Sequence, residues 1–324
     1  MKGIGVLLIN LGTPDAPEPK AVRKYLAEFL SDRRVVEIPA IAWQPILRGI
    51  ILTTRPRKSA HAYKLVWTEH GSPLRAITRR KADALRQRLG PSVLVIDAMR
   101  YGSPSIADGI QEMLEHGYDR ILLAPLYPQY CAATTATAND KAFEVLSAMR
   151  FQPAIRTLPP YYDDPVYIGT LKANLERQLA SLDFEPERLL LSFHGMPERT
   201  RQLGDPYHDQ CQETARLLAG QLSLPVDVAF QSRFGRAKWL EPATDATLAD
   251  LPGKGIRRIA VTAPGFSADC LETLEELGIR GRETFLAAGG DNFALLECLN
   301  DSPEGMDLLE HLIRRELAGW HEGA

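Results

Sequence analysis

The chain has 324 residues, enough for two hydrophobic cores rather than one. Hydrophobic residues make up 45% and charged residues 24%, the balance of an ordinary globular protein. The net charge is −3 and the basic residues fall in short runs such as Arg33-Arg34 and Arg79-Arg80-Lys81 or scatter as at Arg55, Arg57 and Lys58, which argues against nucleic acid as a partner. The four cysteines, Cys131, Cys211, Cys270 and Cys298, form no CxxC pair. That usage fits free thiols in a reducing cytoplasm and argues against a zinc ribbon or a disulfide framework. Met1-Lys2 leads straight into a strand pattern, so no signal peptide is expected. No apolar run approaches the roughly 20 residues that span a bilayer.

Residues 5–10 (GVLLIN) predict a first strand, ended by Gly12-Thr13-Pro14. Val22, Tyr25, Leu26, Phe29 and Leu30 recur at helical spacing and predict a helix over 19–30. This opening of strand, glycine turn and helix lacks GxGxxG, so a dinucleotide is not supported. Residues 38–67 are unusual. A helix over about 45–53 is apolar around much of its circumference, with Ile41 and Trp43 just before it and Arg55, Arg57 and Lys58 just after. Two readings stay open: a core helix, or an exposed apolar lip for a large flat ligand or a membrane surface. Ser72-Pro73-Leu74 opens a long amphipathic helix to about Leu89. A strand over 92–99 runs into Arg100-Tyr101-Gly102, a helix covers 104–116, and a strand over 120–126 is followed by Tyr127-Pro128-Gln129-Tyr130 and a helix over 137–149.

The second half repeats this logic. A helix over 165–182 precedes the apolar run Leu189–Leu191, which reads as a short buried strand of a parallel sheet. Helix 206–222, strand 226–230, strand 258–262, helix 269–277, a last strand over 293–298 and a closing helix over 305–317 follow. The alternation predicts an α/β fold with two doubly wound, Rossmann-like domains and a cleft between them. The first domain is expected over 1–155, with the C-terminal helix 303–320 packing back on it, and the second over 156–302.

Ligands of open α/β sheets bind outside the carboxyl ends of the strands. Ser192-Phe193-His194-Gly195 stands at such an end, so His194 reads either as a hydrogen-bonded turn residue or as a group that takes a proton or a metal near neutral pH. At about 100° per residue, Asp269, Glu272 and Glu276 fall within an arc of roughly 60° on one α-helix face. That line is either a solvated acidic face or a path for a cation or a proton. One imidazole and one carboxylate suit a divalent cation of borderline softness.

Eight stretches carry a family resemblance: INLGTPDAP, FLSDRRVVEIP, YKLVWTEHGSPL, MRYGSP, PLYPQY, LLLSFHGMP, FQSRFG and APGFSADCLETLEEL. In this order, over nearly the whole chain, they resemble the ferrochelatases, the chelatase-type enzymes that insert Fe²⁺ into a porphyrin. The resemblance implies that His194 is the active-site histidine, a metal ligand or acceptor of a pyrrole proton, and that Glu272 is the facing carboxylate. It implies an acidic ridge at Asp269 and Glu276, and porphyrin contacts at Arg100, Tyr101 and Tyr127. Leu11, Ile41 and Trp43 are the apolar positions expected beside the tetrapyrrole. Fe²⁺ enters as substrate, with no permanently bound cofactor expected. Many members carry a histidine where this chain has Cys270, and some hold a [2Fe–2S] cluster through extra cysteines that are absent here, so no cluster is expected. Coproporphyrin-type members often carry a tyrosine in the first turn, which here reads Asn10-Leu11-Gly12-Thr13, and that favours protoporphyrin IX. The product would be protohaem, with loss of two pyrrole protons. The expected setting is the cytoplasm, peripheral to the inner membrane. A chelatase for coproporphyrin or another tetrapyrrole, and a non-catalytic porphyrin-binding protein, are the alternatives that the residues leave open.

Overall fold

The computed structural model describes residues 3–235 and 237–320. The chain divides into two compact units, one of Met1–Leu126, Cys131–Pro159 and Gly305–Ala324, the other of Tyr127–Tyr130 and Pro160–Glu304. The first holds β1 (Gly3–Gly12), β2 (Val93–Tyr101), β3 (Tyr118–Pro125) and β4 (Ala154–Thr157), all parallel, in the order β2-β1-β3-β4. The second holds β5 (Arg188–His194), β6 (Val226–Gln231), β7 (Arg258–Thr262) and β8 (Asn292–Leu295), again parallel, in the order β6-β5-β7-β8. Counted from its own first strand, each sheet runs 2-1-3-4. The fold is therefore a pair of doubly wound α/β sheets, a repeat of architecture with no repeat of sequence.

The central strands show why. Parallel strands covered by helices on both faces must be apolar on both faces, which erases period-two alternation. Val6–Ile9 of β1, and Leu189–Leu191 with Phe193 of β5, have no exposed surface. Leu7 and Ile9 pack with Ile106, Ile110 and Met113 in the first core. Leu190 and Val261 pack with Leu248, Leu277 and Phe285 in the second. The last helix, Pro303–Leu317, docks on the first unit: Arg314 Nη2 donates to the Arg88 carbonyl at 3.0 Å, and Arg156 Nη1 donates to the Glu316 carbonyl at 2.6 Å.

Several expectations are corrected. The helix expected over about 45–53 is the middle of a longer helical path, Ala40–Ile46, then π-helical Leu47–Ile51, then Leu52–Val66. The segment has one buried and one exposed face. Leu47 and Leu52 are buried against Leu30, whereas Ile41 is 89% exposed and Ile46 and Ile50 also face outward. The strand Ala154–Thr157 and the short helices Glu198–Gln202 and Thr244–Asp250 escape a periodicity reading, because none is long enough to show a repeat. The helix expected over 269–277 begins only after Cys270 and is π-wound over Glu272–Gly281.

Candidate active site

The second unit places His194 as the last residue of β5, paired in register with Gln231 of β6. β5 lies between β6 and β7, so the chain leaves it to one side and returns on the other. This is a topological switch point, where open α/β sheets bind ligands. His194 is half-buried, with its ring 6.5 Å from that of Phe266, which follows β7. Its Nδ1 lies 2.7 Å from the Gly195 carbonyl oxygen. A carbonyl only accepts, so Nδ1 carries the hydrogen and the neutral ring keeps its lone pair on Nε2. Among the described residues Nε2 has no hydrogen-bond partner. His194 is thus a base with its free nitrogen directed away from its own turn.

Glu272, also half-buried, opens the π-helix. Helices wound with i→i+5 bonds are rare and recur at functional sites. The buried Cys270 thiol neighbours its carboxylate. Burial, and then the neighbouring Glu272 carboxylate, push that thiol well above its ordinary value, so Cys270 stays protonated beside it. No cation among the described residues pairs with Glu272.

The acidic line takes a different form from the one the spacing predicts. The 100° step presumes an α-helix that includes residue 269, and Asp269 precedes the helix. Its carboxylate is 4% exposed and held by Asn300 Nδ2 at 2.6 Å and Thr273 Oγ1 at 2.8 Å. A short acid at a helix start satisfies nearby donors in this way. Glu276 is clamped by the Ser232 amide at 2.7 Å and the Ser232 hydroxyl at 2.6 Å. Glu275, which the spacing leaves out, is buried and takes a bidentate bond from Arg280 at 2.9–3.0 Å. Of the three predicted carboxylates only Glu272 stands without strong donors. Among the described residues no three His, Cys, Asp or Glu side chains gather into a group able to hold a metal ion.

In the first unit, Arg100 and Tyr101 end β2 around Asp32. Arg100 Nη2 reaches Asp32 Oδ2 at 2.5 Å, and its Nε donates to Thr137 Oγ1 at 2.8 Å. The Tyr101 hydroxyl donates to the same Asp32 oxygen at 2.8 Å, Thr137 also donates to it, and the Arg34 amide donates to Oδ1 at 2.7 Å. Burial raises the Asp32 pKa, but these donors and the Arg100 charge outweigh it and hold the carboxyl below its ordinary value. Tyr101 is corrected as a porphyrin contact: it has no exposed surface, burial raises its pKa, and it acts through Asp32 and Arg100. Trp43 is partly committed as well, since its indole N–H donates to the Leu30 carbonyl at 2.6 Å. Leu11 is half-buried and Ile41 exposed in the first unit, and Tyr127 is half-buried in the second.

Residue reading missed the buried support of the second unit, Ser192, Gln231 and Thr244, and the Ser232 and Asn300 partners of the acids. The available signal was Gln231-Ser232, two polar residues closing an apolar strand at the ligand end of a sheet.

Comparison with known proteins sets this geometry in a class. The chain superimposes on SirB from Bacillus subtilis with Fe³⁺ with a TM-score of 0.58, at 15% identity over 99% of this chain and 97% of that one. It superimposes on the sirohydrochlorin chelatase SirB from Bacillus subtilis subspecies spizizenii in complex with cobalt with a TM-score of 0.56, at 12% identity over 98% and 95%. At such identities the likeness defines the fold, two Rossmann-like domains of the metal-chelatase type. The sequence is far closer to one branch of that class: it is 56% identical to the ferrochelatase of Rhizobium meliloti (strain 1021) over 98% of this chain and 96% of the relative. The family model described as Ferrochelatase matches residues 3–317, and the chain belongs to the ferrochelatase family.

Proposed function

We propose that this chain inserts Fe²⁺ into protoporphyrin IX to form protohaem, the terminal step of haem synthesis, with release of two pyrrole protons; in reaction class it is a lyase. The observation that carries the mechanism is the His194 Nδ1 to Gly195 carbonyl bond, which leaves Nε2 as a ready acceptor at the switch point of the second sheet. Metallation removes two N–H protons from the macrocycle and brings in one dehydrated divalent cation. His194 takes one of those protons, and Glu272, free of a protein cation, takes the other or holds the iron. Both are correct ligand types for Fe²⁺, a neutral imidazole and a carboxylate. Asp269 and Glu276, though bonded to Asn300 and Ser232, add negative charge beside Glu272 that favours a cation over an anion.

Arg100, Leu11, Ile41, Trp43 and Tyr127 are our proposed porphyrin contacts. Asn10-Leu11-Gly12-Thr13, without a tyrosine, supports protoporphyrin over coproporphyrin. The four cysteines are buried and outside any disulfide, a usage that supports work in the cytoplasm. No described helix is long and apolar enough to cross a membrane. Exposed Ile41, Ile46 and Ile50, with Arg48, Arg55, Arg57 and Lys58 nearby and no acidic residue from 38 to 68, support peripheral contact with an anionic membrane.

The test is anaerobic metal insertion followed by absorbance, with Fe²⁺ or Zn²⁺ and either protoporphyrin IX or coproporphyrin III. We expect turnover with protoporphyrin IX and a loss of about 10²- to 10⁴-fold in kcat for His194→Ala. Retained porphyrin binding with no turnover by the wild-type chain would mark a binding protein. Preferential turnover of coproporphyrin III would overturn the substrate.

A further inference from the structure

We infer that Gln231 is a positioning residue that holds the two reacting groups, His194 and Glu272, in a common frame; the inference rests on the roles proposed above for those two residues. Gln231 ends β6 and is 2% exposed. Its main-chain carbonyl accepts the Gly195 amide at 2.7 Å, fixing the turn directly after His194. That same Gly195 holds the His194 ring through its own carbonyl. A Cβ on Gly195 would stand 2.4 Å from the Gln231 oxygen, so only glycine permits the approach. The Gln231 side chain turns the other way. Its Nε2 donates to the Glu272 main-chain carbonyl at 2.9 Å, and its Oε1 accepts from Ser192 Oγ at 2.7 Å. Ser192 in turn lies 2.8 Å from Thr244 Oγ1.

The direction of this chain is forced. The Glu272 carbonyl can only accept, so the carboxamide must present its NH₂ there and its oxygen to Ser192. Ser192 then spends its one hydrogen on Gln231, and Thr244 donates to Ser192. Ser192, Gln231 and Thr244 are all at most 3% exposed. A buried polar chain that is fully satisfied is rigid, because any break strands a desolvated group. The next residue adds an independent grip. Ser232 sits at φ 65°, in the left-handed region that a side-chain-bearing residue adopts only when its surroundings hold it there. What holds it is Glu276, which binds both its amide and its hydroxyl. Gln231-Ser232 therefore grasps the π-helix at residues 272 and 276 and the His194 turn at residue 195, from three segments far apart in sequence. None of these contacts occupies His194 Nε2 or the Glu272 carboxylate, so both stay available to substrate.

The test uses the full chain carrying Gln231→Glu, which keeps the shape and the acceptor for Ser192 but presents an oxygen to the Glu272 carbonyl. Gln231→Met is the second variant, in case the first fails to fold. Zn²⁺ insertion into protoporphyrin IX is measured with kcat and KM separated, alongside hydrogen exchange of the backbone amides. We expect kcat to fall about 10- to 100-fold, the effect of misplacing a reacting group by a fraction of an ångström to one ångström, with porphyrin KM within about twofold. Exchange should quicken at 195–196 and 272–277 and stay unchanged across the first sheet. Ser192→Ala, which only frees the carboxamide to rotate, should lose about 3- to 10-fold, the worth of one neutral hydrogen bond. Wild-type kcat and wild-type exchange in both Gln231 variants would overturn the inference. So would exchange that rises equally over β5–β8, which marks general loosening rather than positioning. If the wild-type chain inserts no metal, or His194→Ala inserts it normally, the roles of His194 and Glu272 fail instead, and with them the positioning role; the exchange pattern then reports only whether Gln231 ties the two segments together.

Discussion

The two sheets share one strand order and use it in opposite ways at their carboxyl ends. At the mouth of the first, charge is closed on itself. Asp32 takes hydrogen bonds from Arg100, Tyr101, Thr137 and the Arg34 amide, and the ion pair it forms with Arg100 has side chains only 10–13% exposed. At the mouth of the second, the two groups suited to chemistry are left open. His194 is oriented by a backbone carbonyl with Nε2 free, and Glu272 is anchored through its own backbone while its carboxylate meets no described cation. In the second unit the strong donors go to the neighbours, Asp269, Glu275 and Glu276. A frame of this kind supports either a lock or a reactive site, and which one results depends on whether the polar groups at the strand ends satisfy each other.

The sharpest break of that contrast is to remove charge from each mouth in turn. Glu272→Gln keeps the shape of the side chain and should lower kcat by about 10²- to 10⁴-fold, with little change in unfolding, because no described cation is left behind unpaired. Equal losses of rate and of stability would mean that Glu272 is part of a lock after all. Asp32→Asn should do the reverse. It leaves the Arg100 charge mostly buried without a counter-ion, a change that costs about 3 kcal/mol or more when one member of a buried pair is removed. The urea midpoint should fall, read from amides of β1 to β3. The pH dependence follows from the depressed Asp32 pKa. Its contribution is fully present above its ordinary value of 3.8 and is lost as pH falls through the lower folded value. The stability gap between wild type and Asp32→Asn should therefore be widest above pH 3.8 and close on further acidification. A gap that widened in acid would contradict the network described here.

Much of this contrast could be read in the sequence, and the remainder has identifiable physical causes. The runs around Val6–Ile9 and Leu189–Leu191 announce buried parallel strands, because nothing polar interrupts them. The polar residues after those runs announce strand ends, and Arg100 and His194 lie at the carboxyl ends of β2 and β5. What could not be read is how far those polar groups satisfy one another. Asp269 meets Asn300, Gln231 meets Ser192 and Glu272, and Ser192 meets Thr244, partners 31 to 52 residues apart that local spacing cannot bring together. The π-winding of Glu272–Gly281 was hidden for another reason. Periodicity arguments presume an α-helical step, so a helix wound differently is misassigned in angle even when its existence is clear. Tyr101 departs from what the resemblance implies for a similar reason: its ring is wholly buried beneath Arg100 and its hydroxyl bonds Asp32, a partner 69 residues away.

The smallest expected effect probes the outer apolar face of the first unit, which neither lock nor reactive site explains. Ile41 is 89% exposed and Ile50 58% exposed, while Leu47 between them is 1% exposed in the core. A residue that buries almost nothing contributes little to folding, so Ile41→Ser should change stability by no more than about 0.5 kcal/mol. The same change should matter if this face meets a lipid surface. Burying one isoleucine in an apolar phase is worth roughly 1.5 kcal/mol or more, so Ile41→Ser should weaken binding to anionic phospholipid vesicles about tenfold. Arg55→Gln should weaken it too, in a manner that added salt cancels, since screening already removes the attraction between the basic stretch and the headgroups. Vesicle co-sedimentation of both variants, at low and physiological salt, decides between these terms. Unchanged sedimentation in both would assign the exposed isoleucines some task other than a membrane surface.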